Sequence, residues 1–304
     1  MKKNISNIII IILLITIMYE LINNSIIIRE SIINSFELWK NNIFPFLFPF
    51  FIISDLLINF NIIEIINKYL NKIMYKIFKI NSSSSFIFFM SILSGIPSNS
   101  KYINSLIKNN ELTCYEGQKI LMFTHFVSPI FILGYIGNII GRKYSIYILY
   151  IHYITNIIIG LIFRNYHPNN LTALNNKKIS NSLIKTITNS ILNSINTLFL
   201  ILGIISFFSF IIAIITSNIN NPVLKSIICS ILEITQGINS IGYLNISIKF
   251  KVVLITFIIS FGGLSSHMQV MSILEDTNIK YFPYLLTRIL HAIISSFLII
   301  VLIY

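Results

Sequence analysis

The sequence predicts an all-α polytopic membrane protein with a carrier-like inverted repeat built on two re-entrant or broken-helix hairpins. Three observations carry that prediction. The first is composition: 304 residues that are 55% hydrophobic and 11% charged, with a mean hydropathy of +0.81, hold more apolar surface than a soluble core can bury. The second is a polar break, Ser94-Gly95-Ile96-Pro97-Ser98-Asn99, inside an apolar run. The third is its recurrence about 139 positions later, where Ser230-Ile231-Leu232 leads into Glu233-Ile234-Thr235-Gln236-Gly237 as Ser91-Ile92-Leu93 leads into the first break. Another pair follows at a similar offset, Phe123-Thr124-His125-Phe126-Val127-Ser128-Pro129 and Phe261-Gly262-Gly263-Leu264-Ser265-Ser266-His267. Backbone groups freed at membrane depth persist only where protein or a water-filled cavity satisfies them, so matched breaks point to a transporter's binding site.

The formal charge of +12 is spread as Lys and Arg between apolar spans and forms no basic domain, which argues against a nucleic-acid partner and for membrane topology. Cys114 and Cys229 are too few and too far apart for a disulfide framework or a local metal pair. Ile, Asn and Lys abound throughout, so a single one carries little functional information.

Lys2 and Lys3 precede an apolar run at 5–22 with no small-residue cleavage site after it; a retained anchor helix and an amphipathic connector make up residues 1–42. Residues 43–163 form the first repeat. It opens with a span at 43–60, where Pro45 and Pro49 give an irregular start and Asp55 lies inside. Residues 61–80 set Lys68, Lys72, Lys76 and Lys79 on one helical face and Ile62, Ile66, Tyr69, Ile73 and Ile77 on the other, a helix that lies in the interface. The run at 86–95 amounts to roughly 15 Å of helix, half a bilayer core, and is the first arm of a re-entrant hairpin returning through 101–108. Thr113-Cys114-Tyr115-Glu116 has the form of a capping box, and Ser128-Pro129 restarts a helix through 130–140 with an N-cap Ser and an N1 Pro. A span at 144–163 completes the repeat.

Residues 164–185 are a polar linker, and residues 186–304 form the second repeat: a span at 198–216, a short arm at 223–232, a broken helix across Gly262-Gly263 and a span at 281–304. Tracing the crossings sets the spans at 43 and 198 on opposite courses, which inverts the second repeat and brings hairpin tips near Pro97 and Gly237 together at the midplane. With Lys2 inside, the cytoplasmic segments hold 14 Lys and Arg against seven outside, although Arg142-Lys143 and Lys249-Lys251 run against that bias.

The breaks supply the candidate site. Helix N-termini at Ser128-Pro129 and after Gly263-Leu264-Ser265 direct free N–H groups and positive dipole ends toward the midplane, where a carboxylate is held. Arg288 adds a fixed cation at a depth where an unpaired charge costs about 2.5 kcal/mol or more, so it either contacts cargo or pairs with Glu233. Ser94, Ser98, Asn99, Thr235, Gln236, Ser265, Ser266 and Gln269 offer neutral hydrogen bonds, while Gly95, Gly237, Gly262 and Gly263 are structural, serving a tight turn or close backbone approach. His125, His267 and His291 reach comparable depths; their spacing matches no metal motif, and packing is the plainer role of each, with His267 the best exception. Lys101 either reaches the site or snorkels to the interface, and Asp55 couples an ion, caps a helix or pairs with a lysine.

Two groups of stretches also carry a family resemblance. Ser94-Gly95-Ile96-Pro97-Ser98-Asn99-Ser100-Lys101, with Glu111-Leu112 and Ser128-Pro129-Ile130-Phe131-Ile132-Leu133-Gly134, resembles the Gate, or nucleoside-recognition, domain. Leu232-Glu233-Ile234-Thr235-Gln236-Gly237-Ile238, the run from Phe261 to Val270, and Arg288-Ile289-Leu290-His291-Ala292 resemble the sporulation integral membrane protein family of the YlbJ type. The resemblance spans residues 36–304 and departs at Ser98-Asn99-Ser100, where a small Gly-Ala pair is expected. It implies a spore-former, a place in the outer forespore membrane or cell membrane, and movement of dipicolinate from mother cell toward forespore.

Together these readings predict a non-enzymatic carrier of a small anionic metabolite, dipicolinate first. It works in a lipid bilayer without cofactor or bound metal, is open to a coupling ion, and is compatible with a homo-oligomer. A carrier of nucleosides or other small polar metabolites, a membrane assembly protein for sporulation and an intramembrane enzyme using His and Glu are the alternatives.

Overall fold

The computed structural model describes residues 2–60, 63–166 and 182–304, and every regular element among them is a helix. The linker expected at 164–185 lies mostly outside the described residues, Lys177 and Lys178 included, as do Asn61, Ile62 and the side chains of Lys2, Lys3, Ile66, Lys68 and Tyr69.

Helix α1 (Lys2–Asn23) covers the anchor run. Helix α2 (Ser25–Leu38) passes through a π-helical turn, Trp39–Ile43, into α3 (Phe44–Asn59). Pro45 and Pro49 explain the wide turn: each lacks an N–H and presses its ring toward the carbonyl four residues back, so the ladder loosens just ahead of them. The boundary expected at 42–43 thus falls inside one apolar run, Ser25–Asn59, of 35 residues. Helix α4 (Ile63–Phe78) meets α5 (Ser82–Ser94) at 88°. It buries Met74 and Phe78 while Ile73 and Ile77 face outward beside Lys72 and Lys76, the pattern of a helix lying along an interface.

A break then leads to α6 (Ser98–Lys108). Helix α7 (Cys114–Phe123) opens on the expected capping box, with Glu116 N donating to Thr113 Oγ1 at 3.2 Å and Thr113 N to Glu116 Oε2 at 3.0 Å. After a non-helical stretch at 124–128 the chain resumes as a π-helical turn, Phe131–Ile136, and α8 (Gly137–Ile140), followed by α9 (Arg142–Ile162). Helix α10 (Leu183–Thr216) starts well before the expected 198, because Thr186, Ser190 and Ser194 recur every four residues as a buried polar stripe that lowers local hydropathy without breaking the helix. Next come α11 (Pro222–Leu232), α12 (Ile234–Tyr243), α13 (Ile248–Phe261), α14 (Gly263–Ile273) and α15 (Tyr281–Ile303).

Among the described residues five helical runs are long and apolar enough to cross a membrane: Ser25–Asn59, Arg142–Ile162, Leu183–Thr216, Ile248–Ile273 and Tyr281–Ile303; the bent α4–α5 pair makes up to six. Helices α5, α6, α11 and α12 have 13, 11, 11 and 10 residues, about 20 Å or less against a core of about 30 Å, so none of them crosses alone. A long helix, two short arms, a broken segment and a long helix occur twice in that order, with α4 inserted after the first long helix and no counterpart to it after α10. The outward side chains are apolar, Phe199, Phe207, Phe297 and Val301 among them, and buried serines, histidines and an arginine lie within. Such an inside-out distribution suits lipid as the outer solvent.

Contacts at the two ends of the bundle fix which elements share a side. At one end Lys108 pairs with Asp276 at 3.0 Å, Lys280 N donates to Gln118, and Lys119 Nζ donates to the carbonyls of Lys79 at 2.8 Å and Arg164 at 2.7 Å. That ammonium closes the C-terminal ends of α4 and α9, where the helix dipole favours a cation. At the other end Lys251 Nζ donates to Gly242 O at 2.6 Å, Lys249 lies 4.6 Å from the Tyr304 ring, and Ile139 is packed against Gly242.

Candidate functional site: four chain breaks around a cavity

The four predicted breaks converge. Gly95 has φ +76°, and a Cβ there would stand 2.6 Å from Ser128 N, so the first break lies directly on the second. Gly262, at φ +101°, leaves room for the His125 ring, and a Cβ on Gly263 would be 3.4 Å from Ile234 N, which places the fourth break against the second and third. The third is a single extended residue, Glu233, between α11 and α12. Gly237, expected at this tip, instead lies one turn inside α12 and lets it close on α11, with Ser230 Cα 2.5 Å from where a Cβ would be.

Most of the freed backbone groups of the second break are taken up by named partners. Arg288 Nη2 donates to Met122 O at 2.6 Å, Asn99 Nδ2 to Thr124 O at 3.2 Å, and Asn156 Nδ2 to His125 O at 3.0 Å. Ile96 N donates to Phe126 O at 2.8 Å, Val127 N to His152 Nε2 at 3.1 Å, and the Tyr153 hydroxyl to Val127 O at 3.2 Å. Such compensation is what non-helical backbone inside a membrane bundle requires. Ser128 then caps the restarted helix as expected, accepting from Phe131 N at 3.3 Å.

The imidazoles belong to this scaffold, and their partners fix the tautomers. Val127 N–H can only donate, so His152 Nε2 accepts and its Nδ1–H points to Ser260 Oγ at 3.2 Å. Arg288 Nη1 can only donate, so His291 Nδ1 accepts at 3.0 Å and its Nε2–H goes to His152 O at 3.1 Å. His267 donates Nε2–H to Phe261 O at 2.8 Å, closing the fourth break, and accepts from Tyr281. His125 Nδ1 lies 2.9 Å from the Tyr284 hydroxyl. No group of three or more His, Cys, Asp or Glu suited to a metal occurs among the described residues.

Between the breaks lies a cavity of about 600 Å³. Of the expected site residues, Ser94, Ser128, Glu233, Thr235, Ser266 and Gln269 line it, together with Ile96, Pro97, Tyr135 and Asn138. The others support it from behind. Gly95, Asn99, His125, Gly263 and His267 hold the breaks, Gln236 reaches Ser209 on α10 at 2.6 Å, and Ser265 accepts from Gln269 at 3.2 Å. Ser98 Oγ is buried and has no protein partner.

Two expectations change, and four residues join the site. Arg288 and Glu233 form no ion pair: Arg288 is wholly buried on Met122 O and His291, and Glu233 Oε2 caps its own helix, accepting from Gln236 N at 2.9 Å and from Thr235 Oγ1. Lys101 does not snorkel; it is buried against Asp55 with Nζ 3.5 Å from Oδ2. His152, Tyr153 and Asn156 on α9 and Tyr284 on α15 went unmarked in the sequence. His152 and Asn156 share a face at a four-residue spacing in an otherwise apolar span, and an ionisable residue in such a span is itself a signal of function.

No family model and no solved structure matches the chain. A curated relative does: the sporulation integral membrane protein YlbJ of Bacillus subtilis (strain 168) is 25% identical over 304 residues, covering 86% of this chain and 74% of that protein. The match bears out the likeness to the YlbJ type: this integral, multi-pass membrane chain is similar to a sporulation integral membrane protein of that type along most of its length.

Proposed function

We propose that the chain is a carrier that moves a small anionic metabolite, dipicolinate in the first place, across the outer forespore membrane through the cavity between the four breaks. The observation that carries the reading is their convergence: the carbonyls of the second break are hydrogen-bonded while Ser128, at one helix N-terminus, and Ser266, one turn into α14, line the cavity. The first N–H groups of a helix lack intrahelical partners and sit at the positive dipole end, a setting for a carboxylate. Hydroxyls of Ser128 and Ser266 and the amide of Gln269 add neutral donors, while Thr235 Oγ1, whose proton goes to Glu233, adds an acceptor.

The cavity also favours a second reading. Among the described residues its one charged lining residue is Glu233, and no Lys, Arg or His lines it, which suits a neutral polar cargo such as a nucleoside. Uptake of labelled dipicolinate into proteoliposomes, competed by unlabelled dipicolinate and by nucleosides, separates the two. Saturable uptake blocked only by dipicolinate is expected; block by nucleosides alone favours the second reading, and no uptake of either returns the chain to an assembly role. In the spore-former itself, deletion is expected to leave dipicolinate synthesis intact and to yield spores depleted of the compound. Normal spore dipicolinate in a clean deletion excludes this cargo.

The alternating access of such a carrier rests on inverted hairpins. Support comes from the end contacts: Lys108, at the base of α5–α6, pairs with Asp276, while Gly242, at the base of α11–α12, bonds Lys251 at the other end. Cysteines introduced at Lys108 and Lys225 are expected to react from opposite faces of the membrane. Labelling of both from one face removes the inversion.

A further inference from the structure

Away from the cavity lining, Asp55 of α3 and Lys101 of α6 form an ion pair in which each residue is 5% exposed. Lys101 Nζ also donates to Ser194 Oγ of α10 at 3.0 Å and lies 4.3 Å from the Phe51 ring centroid. The pair therefore joins a crossing helix, a short arm of the first hairpin and the long helix α10. Stability does not explain it, since a buried ion pair is matched or bettered by apolar residues of similar volume, and lipid gives no reason to keep one.

Two further features give the pair a task. Asp55 Oδ1 is buried with no hydrogen-bond partner, as are the hydroxyls of Ser98, one turn from Lys101, and Ser190, one turn from Ser194. The neighbouring Tyr102 hydroxyl donates to Ser94 Oγ at 2.9 Å, and Ser94 lines the cavity, so a hydroxyl path leads from the cavity toward the pair. The titratable groups set against Asp55 are Lys101 and Tyr102 from α6, and α10 brings the hydroxyl of Ser194.

We propose that Asp55 and Lys101 form a proton site that couples proton movement to cargo movement, so that the carrier is an anion–proton symporter; this rests on the carrier reading above. A proton arriving through the hydroxyl path forms an O–H bond at Asp55 Oδ1 and cancels the carboxylate charge. The ammonium of Lys101 then keeps Ser194 and Phe51 and loses its counter-charge, so the site carries one net positive charge. A carboxylate in the adjoining cavity offsets that charge, and by linkage the anion and the proton each favour the other's binding. Loss of the attraction between α3 and α6 also frees the first hairpin to shift. Release of the proton on the far side restores the pair and returns the empty carrier.

The test uses the full chain in proteoliposomes with labelled dipicolinate and an imposed pH gradient. The charge-neutral pair Asp55→Asn with Lys101→Gln is expected to equilibrate dipicolinate downhill while its gradient-driven accumulation falls from several-fold to equality. Accumulation equal to the unmodified protein overturns the proposal. Tyr102→Phe, which keeps both charges, guards against misfolding of the double variant and is expected to slow accumulation several-fold; an unchanged rate counts against the path. Infrared difference spectra of the purified protein across an acid step need no cargo, and a carboxyl protonation band that Asp55→Asn lacks is expected. Absent uptake with that band present sinks the carrier reading and leaves the proton site standing, whereas absence of the band in the unmodified protein removes the site.

Discussion

Arg288→Ala is expected to lose most of the folded protein from the membrane, not merely its transport. The guanidinium is wholly buried, donates to Met122 O at 2.6 Å and to His291 Nδ1 at 3.0 Å, and sits 5.6 Å from the Tyr284 ring centroid. His291 in turn donates to His152 O, and His152 accepts Val127 N–H, so one chain of hydrogen bonds runs from α15 through α9 into the second break. Alanine leaves the Met122 carbonyl and the His291 nitrogen buried and unpaired. Two bonds from a charged donor contribute on the order of 3 kcal/mol or more together, a large share of the stability of any single chain. Lysine keeps the charge but is a compact ammonium on a flexible stem, so Arg288→Lys is expected to recover part of the loss. The readout is monodisperse protein after mild detergent extraction and its thermal midpoint. Wild-type yield and midpoint in Arg288→Ala defeat the scaffold role; normal folding without uptake would return Arg288 to direct cargo contact.

The sequence carried the breaks and their local chemistry because those are local events. A Ser before a Pro caps a helix at Ser128, and Thr113 with Glu116 makes a capping box, whatever surrounds them. The spans at 142–162 and 281–303 were legible for the same reason, as unbroken apolar runs. What stayed hidden is long-range pairing. Nothing near Asp55 announces Lys101, and nothing near Arg288 names Met122 as its acceptor. Glu233 is instructive, because two rules compete for it. A buried acid looks for a cation, yet Glu233-Ile234-Thr235-Gln236 also places a carboxylate at a helix N-cap, and the local bond to Gln236 N prevails. Gly237 was legible in role and not in place: it permits the close backbone approach expected of it, but between two short helices and not at the hairpin tip. The cavity chemistry lay beyond any pattern, since it depends on which faces of four separate breaks turn inward.

Gly95→Ala is expected to abolish transport while leaving insertion intact. Position 95 is held at φ +76°, where an L-residue is strained by roughly 1 kcal/mol or more, and Ile96 N must still reach Phe126 O at 2.8 Å. A methyl group there would stand 2.6 Å from Ser128 N and 3.1 Å from Ser128 Cα. Those are backbone atoms of the second break, so no side chain can swing aside and the two breaks must separate. Ser94, Ile96, Pro97 and Ser128 all line the cavity, and the separation therefore changes its shape and the aim of the helix end at Ser128. Insertion is driven by the apolar spans, which the substitution does not touch. Gly203→Ala in α10 is the matched control, because a Cβ there meets nothing within 4 Å and alanine is the better helix former. It is expected to transport normally with equal or slightly higher thermal stability. Uptake and membrane abundance measured side by side decide the matter: if Gly95→Ala transports like Gly203→Ala, the close contact between the first two breaks is not what shapes the site.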